Sequence, residues 1–290
     1  MRKISVIVEK TEYNAGDTVS GIAQIICDKA FDFNAMYISF ICREHTLVTK
    51  QVGKYTHVYT EDYFHANEKL TIREPGKLEE GEISVPFSFA IPEDAPSSYK
   101  GERANIEYFL EGRIEISWAK DPIETVNLVV HGSSNRANPQ TQSGLEEDDG
   151  VVVLEAEVEN NEVCCGDHIK ARYRVSREFE KMRGIRVDLQ ANETAVAKGY
   201  KAELRRRVAS EFVENERITK GSWMSIEIPT VSAPYTYTGP LISVEVLLKV
   251  VIDIPRGFDR EIAIPISILR CNEYDSSSSS RETSSDLMFQ

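Results

Sequence analysis

Long apolar runs are missing from this sequence. No stretch approaches the ~18 apolar residues that a membrane-crossing helix needs, so no transmembrane helix is expected. Cysteine is scarce, with five residues among 290 (Cys27, Cys42, Cys164, Cys165 and Cys271). None has the C-x-x-C spacing of a metal or redox pair, and in a strand the adjacent Cys164 and Cys165 point to opposite faces. This odd, unspaced set predicts reduced thiols in a reducing compartment, where the one N-x-T sequon, Asn192-Glu193-Thr194, carries little weight. Positive charge is also in deficit: 34 Lys and Arg against 47 Asp and Glu give a net charge of −13. Generic nucleic-acid binding is thereby disfavoured, as is adhesion of the whole surface to anionic membranes, although a local basic patch escapes that argument.

Catalytic signatures are absent as well. There is no G-x-S-x-G, P-loop or G-x-G-x-x-G segment. The five histidines (His45, His57, His65, His131, His168) are scattered without ligand spacing and read as structural. No catalytic residue, metal or cofactor is expected, and a lyase or hydrolase on this scaffold would need convergent His, Glu or Asp that the spacing does not supply. Helical periodicity is almost missing.

What is there is alternation. Met36–Cys42, Ile83–Phe89 and Leu241–Val246 read as strands, separated by turns such as Asn14-Ala15-Gly16-Asp17 and Glu74-Pro75-Gly76-Lys77. The first ten residues read as a strand and not as a signal peptide. Residues 61–73 suit a helical turn or two, or a strand with its loop.

The strongest organisational signal is an internal repeat. Val8-Glu9-x-x-Glu12-x-x-x-Gly16-Asp17 recurs 150 residues later as Val158-Glu159-x-x-Glu162-x-x-x-Gly166-Asp167. Ile91-Pro92 and Ala95-Pro96-Ser97-Ser98-Tyr99-Lys100-Gly101 recur as Ile228-Pro229 and Ala233-Pro234-Tyr235-Thr236-Tyr237-Thr238-Gly239. Five residues after each glycine a matching strand begins, at Ile106 and Val244, and runs on through Ile114-Glu115-Ile116 and Ile252-Asp253-Ile254. In each copy the Gly-Asp turn supplies permissive backbone for a hairpin, and the Pro of Ile-Pro ends a strand. The Tyr of the Ala-Pro loop fastens it by its ring. Two copies of one β module follow. The expected fold is all-β, two tandem immunoglobulin-like antiparallel β-sandwich domains. The expected boundaries are 1–132, a polar linker at 133–150, 151–271, and a serine-rich disordered tail at 272–290.

Taken in order, Tyr13-Asn14-Ala15-Gly16-Asp17-Thr18-Val19-Ser20-Gly21, Ile38-Ser39-Phe40, Glu44-His45-Thr46, Phe87-Ser88-Phe89-Ala90-Ile91-Pro92, Pro96–Gly101 and Ile106-Glu107-Tyr108 resemble the arrestin-like superfamily. The likeness is to the arrestin-domain-containing proteins, or alpha-arrestins. It covers roughly residues 3–270, more loosely in the second half. The resemblance implies paired sandwiches acting as a non-enzymatic adaptor or scaffold. Its implied partners are cytoplasmic tails of membrane proteins and trafficking or ubiquitin machinery, in protein transport or signalling. Its implied location is the cytoplasm, with peripheral contact at endosomal or plasma membranes. An alternative is a regulatory protein of the sporulation-control type without membrane cargo. The sequence departs from the family in having no Pro-Pro-x-Tyr motif, which removes the basis for recruiting a WW-domain ubiquitin ligase.

One local charge inversion stands out. Residues 181–207 hold eight basic residues (Lys181, Arg183, Arg186, Lys198, Lys201, Arg205, Arg206, Arg207) and three acidic ones (Asp188, Glu193, Glu203). Lys198, Lys201, Arg205 and Arg207 are candidates for contact with a phosphopeptide, acidic peptide or anionic lipid. The plainer reading is a solvated strand face with cross-strand salt bridges. Alternation places Ala202, Leu204, Arg206 and Val208 on one face, which makes Arg206 a candidate inward-facing interdomain charge. The alternative for Arg206 is a strand-end side chain that snorkels to water. The serine-rich tail is a candidate for phosphorylation and self-inhibition, or a plain solubilising segment.

Overall fold

The computed structural model describes residues 2–132, 139–177, 179–255, 257 and 259–271. Strands dominate, and the one helical element among the described residues is a 3-10 turn at Asn215–Arg217. The first half holds β1 (Arg2–Val8), β2 (Glu12–Asn14), β3 (Thr18–Cys27), β4 (Phe31–Phe33), β5 (Ala35–Val52) and β6 (Tyr55–Arg73). It continues with β7 (Gly76–Leu78), β8 (Gly81–Ala90), β9 (Tyr99–Lys100), β10 (Ala104–Glu115) and β11 (Ile123–His131). The second half holds β12 (Gln142–Asp148), β13 (Val151–Val158), β14 (Glu162–Cys164), β15 (His168–Val175) and β16 (Gly184–Ala197). It ends with β17 (Tyr200–Glu214), β18 (Met224–Pro229), β19 (Tyr237–Thr238), β20 (Ile242–Asp253) and β21 (Arg260–Leu269).

Their pairing makes the sequence repeat visible. Sheet β1-β3-β8 matches β13-β15-β18, and sheet β2-β11-β10-β5-β6 matches β14-β21-β20-β16-β17, with β9 on β10 and β19 on β20. The Gly-Asp turn does more than close a hairpin. Gly16 (φ 86°) and Gly166 (φ 100°) take the left-handed backbone that glycine allows. They do so where the chain leaves β2 or β14, each in parallel register with the last long strand of its half, and crosses to the other sheet. Asp17 caps this turn by accepting the Asn14 N–H at 3.0 Å. Pro86 sits in β8, which ends its sheet, where a missing N–H is tolerated.

Alternation explains the layers. Burial alternates residue by residue along β10, so Ile106, Tyr108, Leu110 and Ile114 face the core while the intervening, mostly polar residues face out. In the second half, apolar residues of β13, β15 and β18 meet those of β16, β20 and β21 in one core, the mark of two sheets packed face to face. Among its fully buried members are Leu154, Ile169, Leu189, Ile228, Leu248 and Ile268. The architecture is a tandem pair of β-sandwiches.

Several expectations are refined. Residues 61–73 belong to a long strand, β6, paired along β5 from Val52↔Tyr55 to Met36↔Arg73. The polar stretch at 133–150 contains β12, which pairs with β13 and has no counterpart among the described residues of the first half, while 133–138 lie outside the described residues. The described residues fall into two compact units, one within 2–132 with 194–202 and 239–242, the other within 139–193 with 203–238 and 243–271. Two short segments expected in the second module therefore fall in the first unit. The 272–290 tail, with its serine run and the self-inhibition idea attached to it, lies outside the described residues.

One expectation is overturned. The five cysteines are not all reduced thiols: Cys164 and Cys271 form a disulfide, with Cys27, Cys42 and Cys165 free. Spacing in sequence hid this pair because the parallel register of β14 on β21, Cys164 beside Leu269, is a tertiary fact. That register leaves Cys271 two residues further on, at a Cα separation of 5.5 Å, within the range a disulfide bridges.

Candidate functional site

The candidate basic residues lie on the hairpin of β16 and β17. Its two-residue turn is Lys198-Gly199, with φ 51° and 78°. Positive φ at both positions is the turn geometry whose twist matches paired strands, which accounts for glycine at the second position.

Lys198 and Lys201 belong to the first unit, and Arg205, Arg206 and Arg207 to the second. In the first unit the Lys198 N–H donates to Glu61 Oε2 at 2.6 Å, with its ammonium 3.8 Å from Oε1. Beside it Tyr59 and Tyr200 pack with ring centroids 4.4 Å apart, and the Lys50 ammonium lies 4.3 Å from the Tyr200 ring. Lys201 is exposed.

Within the second unit most of the local positive charge is matched. Asp188, only 5% exposed, accepts from Arg186 Nε at 2.9 Å and Ser210 Oγ at 2.7 Å, and Arg207 Nε lies 3.2 Å from it. Asp253, 6% exposed, binds Arg183 at 2.6 Å, and Arg186 reaches towards Asp253 and Asp259 at 3.8 and 3.6 Å. Arg205 pairs with Glu203 at 3.5 Å on open surface, a contact worth about 0–1 kcal/mol. The sequence inversion is thus half of a charge-matched network whose acids come from β16, β20 and the following loop.

Arg206 corrects the inward-facing expectation. It is exposed, as are Arg205 and Arg207 beside it, while Val208 and Ala209 are both half-buried. Alternation holds from Tyr200 to Leu204 and then breaks. Water solvates the Arg206 guanidinium, so no buried carboxylate is required.

Sequence reading missed two features. The first is Glu44, which is fully buried. It accepts from His65 Nε2 at 2.7 Å and from the Leu241 N–H at 2.9 Å, all inside the first unit. Two residues on, Thr46 donates to the Val196 carbonyl at 2.6 Å. The motif Glu44-His45-Thr46 thus owes its alternate inward side chains to binding the short segments 194–202 and 239–242 into that unit. His45, facing the other way, bonds Asp62 at 2.7 Å.

The second is β6. It ends its sheet, and along it Tyr55, Val58, Tyr63, Phe64 and Leu70 are exposed. Among the described residues no group of three or more His, Cys, Asp or Glu side chains is placed to hold a metal, and no helix is long and apolar enough to cross a membrane.

The match with known proteins falls on the half that carries Glu44 and β6. Residues 4–137 match the family "Arrestin (or S-antigen), N-terminal domain". The first half of the chain is arrestin-like. The matched region starts inside β1 and runs past the end of β11, so it takes in nearly all of the first-half sandwich. Relatives include arrestin domain-containing protein 1 of Homo sapiens, 27% identical over 112 residues, and arrestin domain-containing protein 17 of Caenorhabditis elegans, 29% identical over 133 residues. These matches cover 39% and 41% of this chain but only 25% and 31% of the two relatives. In each case the shared stretch is under a third of the relative's own length.

Proposed function

We propose that this arrestin-like chain is a non-catalytic adaptor that binds extended cytoplasmic segments of membrane proteins, or sorting machinery, by adding them as a strand at an open sheet edge. The observation that carries the reading is β6, nineteen residues long at the end of its sheet, with apolar side chains left exposed. Strand addition gains affinity from main-chain hydrogen bonds and specificity from alternate side chains, which suits loose-sequence capture of a tail. The charged residues Glu61, Asp62, Glu68 and Lys69 along the same strand guard against uncontrolled edge pairing. The basic residues Lys198, Lys201, Arg205 and Arg207 supply a secondary attraction for acidic or phosphorylated tails and a weak one for anionic lipid. Nucleic acid is not a partner in this reading, and the working location is the cytoplasm, peripheral to endosomal or plasma membranes.

The test is fluorescence anisotropy of the chain against an array of cytoplasmic-tail peptides from membrane proteins. Binding of a subset, lost when Val58→Pro breaks the β6 edge and retained with a proline-free control such as Val58→Thr, supports the adaptor. Binding indifferent to the edge proline, or no tail bound at all, contradicts it.

A further inference from the structure

Ser210 sits on β17 with Arg205, Arg206 and Arg207 at the fifth, fourth and third positions before it. All four residues are exposed, and β17 ends its sheet, so among the described residues one long edge of the strand has no partner. An extended, accessible serine with arginines at the third and fifth preceding positions fits the acidic substrate cleft of an arginine-directed serine kinase. Guanidinium forks pair with cleft carboxylates while the main chain lies extended.

The structure also shows what a phosphate there would meet. The Ser210 hydroxyl donates to Asp188 Oδ1 at 2.7 Å, and Arg207 Nε approaches the same oxygen at 3.2 Å. Arg186 Nε holds the other oxygen, Oδ2, at 2.9 Å.

We propose that Ser210 is a phosphorylation site for an ATP-dependent, arginine-directed serine kinase, and that the phosphate draws Arg207 away from Asp188. In the transfer, Ser210 Oγ attacks the γ-phosphorus of MgATP. The Oγ–P bond forms as the P–O bond to ADP breaks, and the hydroxyl proton passes to the base of the kinase and on to solvent. The product has no hydroxyl donor for Asp188 and carries roughly −1.5 to −2 charge. Two like-charged groups this close repel. Asp188 stays bound by Arg186, which is the more buried arginine, while Arg207 is over half exposed and free to turn to the phosphate as a charge-assisted fork. The stretch 205–210 goes from three positive charges to about one. This holds whatever the surface binds.

The experiment incubates the folded full chain with such a kinase and MgATP and maps the product by mass spectrometry. Expected is one phosphate at Ser210, absent in Ser210→Ala and incorporated at least tenfold more slowly in Arg205→Ala. A synthetic 203–213 peptide, with and without Arg205, repeats the comparison independently of folding. The Arg207 Nε–H resonance, assigned by NMR, should shift on phosphorylation. Phosphate confined to the 276–280 serines, or modification of Ser210 only after heat unfolding, overturns the site. An Arg207 resonance unmoved at full Ser210 phosphorylation overturns the arginine exchange.

Discussion

Cys164 and Cys271 are 107 residues apart in sequence and disulfide-bonded in space, joining the end of β14 to the chain just past β21. The bond closes β15 to β21 into one loop and leaves β12 and β13 outside it. Breaking it with reductant, or with Cys271→Ser, frees the unfolded chain and lowers stability by about 2–4 kcal/mol. The sandwich itself stays folded, because its core draws on seven strands and the bond lies at one end. Urea unfolding with and without reductant measures the loss, and an unchanged far-UV spectrum before the transition confirms that the folded state survives. A chain working in a reducing compartment therefore keeps its fold with this pair open.

Asp188 gives a second prediction. Its carboxylate is nearly buried and serves Arg186, Arg207 and Ser210 at once. Asp188→Asn keeps the shape and removes the charge, leaving Arg186 with weaker partners. Because Arg207 is more than half exposed, the loss falls below that of a fully buried pair, at about 2–3 kcal/mol. Chemical denaturation checks this, and the parallel Glu203→Gln, at an exposed pair with Arg205, should change stability by less than about 1 kcal/mol.

Alkaline pH gives a third. Burial pushes the Cys42 thiol and the Tyr173 hydroxyl each up to about 12. Both groups are neutral when protonated, so a folded value above the unfolded one means their contribution is intact below pH 9 for the thiol and below pH 10 for the phenol. It is lost as pH rises towards 12. Stability should therefore fall between pH 9 and 12, and Tyr173→Phe should remove the phenol part of that fall. The Tyr173 hydroxyl has no hydrogen-bond partner among the described residues, so Tyr173→Phe at pH 7 is neutral or stabilising by up to about 1 kcal/mol. At pH 8 a thiol reagent should leave the buried Cys27 and Cys42 unmodified until the chain unfolds.

The sandwiches were legible because their determinants are local. Gly16 and Gly166 mark the crossing between sheets, Ile91-Pro92 and Ile228-Pro229 mark strand ends, and period-two alternation marks β5, β8, β10 and β20. The long-range partners were not. The Cys164–Cys271 bond depends on a parallel register, and Glu44 is buried because a backbone N–H nearly 200 residues away in sequence satisfies it. The basic stretch was read from composition, yet Asp253 and Asp259, which neutralise Arg183 and Arg186, lie some seventy residues downstream. Alternation failed at Arg206 because an edge strand has water available to more of its side chains than a central one. The exposure of Tyr63, Phe64 and Leu70 on β6 was hidden by the ambiguity of residues 61–73, whose aromatic pattern does not separate a strand from a turn of helix.

The most direct test of edge capture is amide hydrogen exchange along β6 with and without a bound tail peptide. The outward-facing amides of Tyr55–Arg73 should gain protection of tenfold or more on binding, with little change along the central strand β10. Protection that appears elsewhere while β6 exchanges as in the free chain would contradict the account.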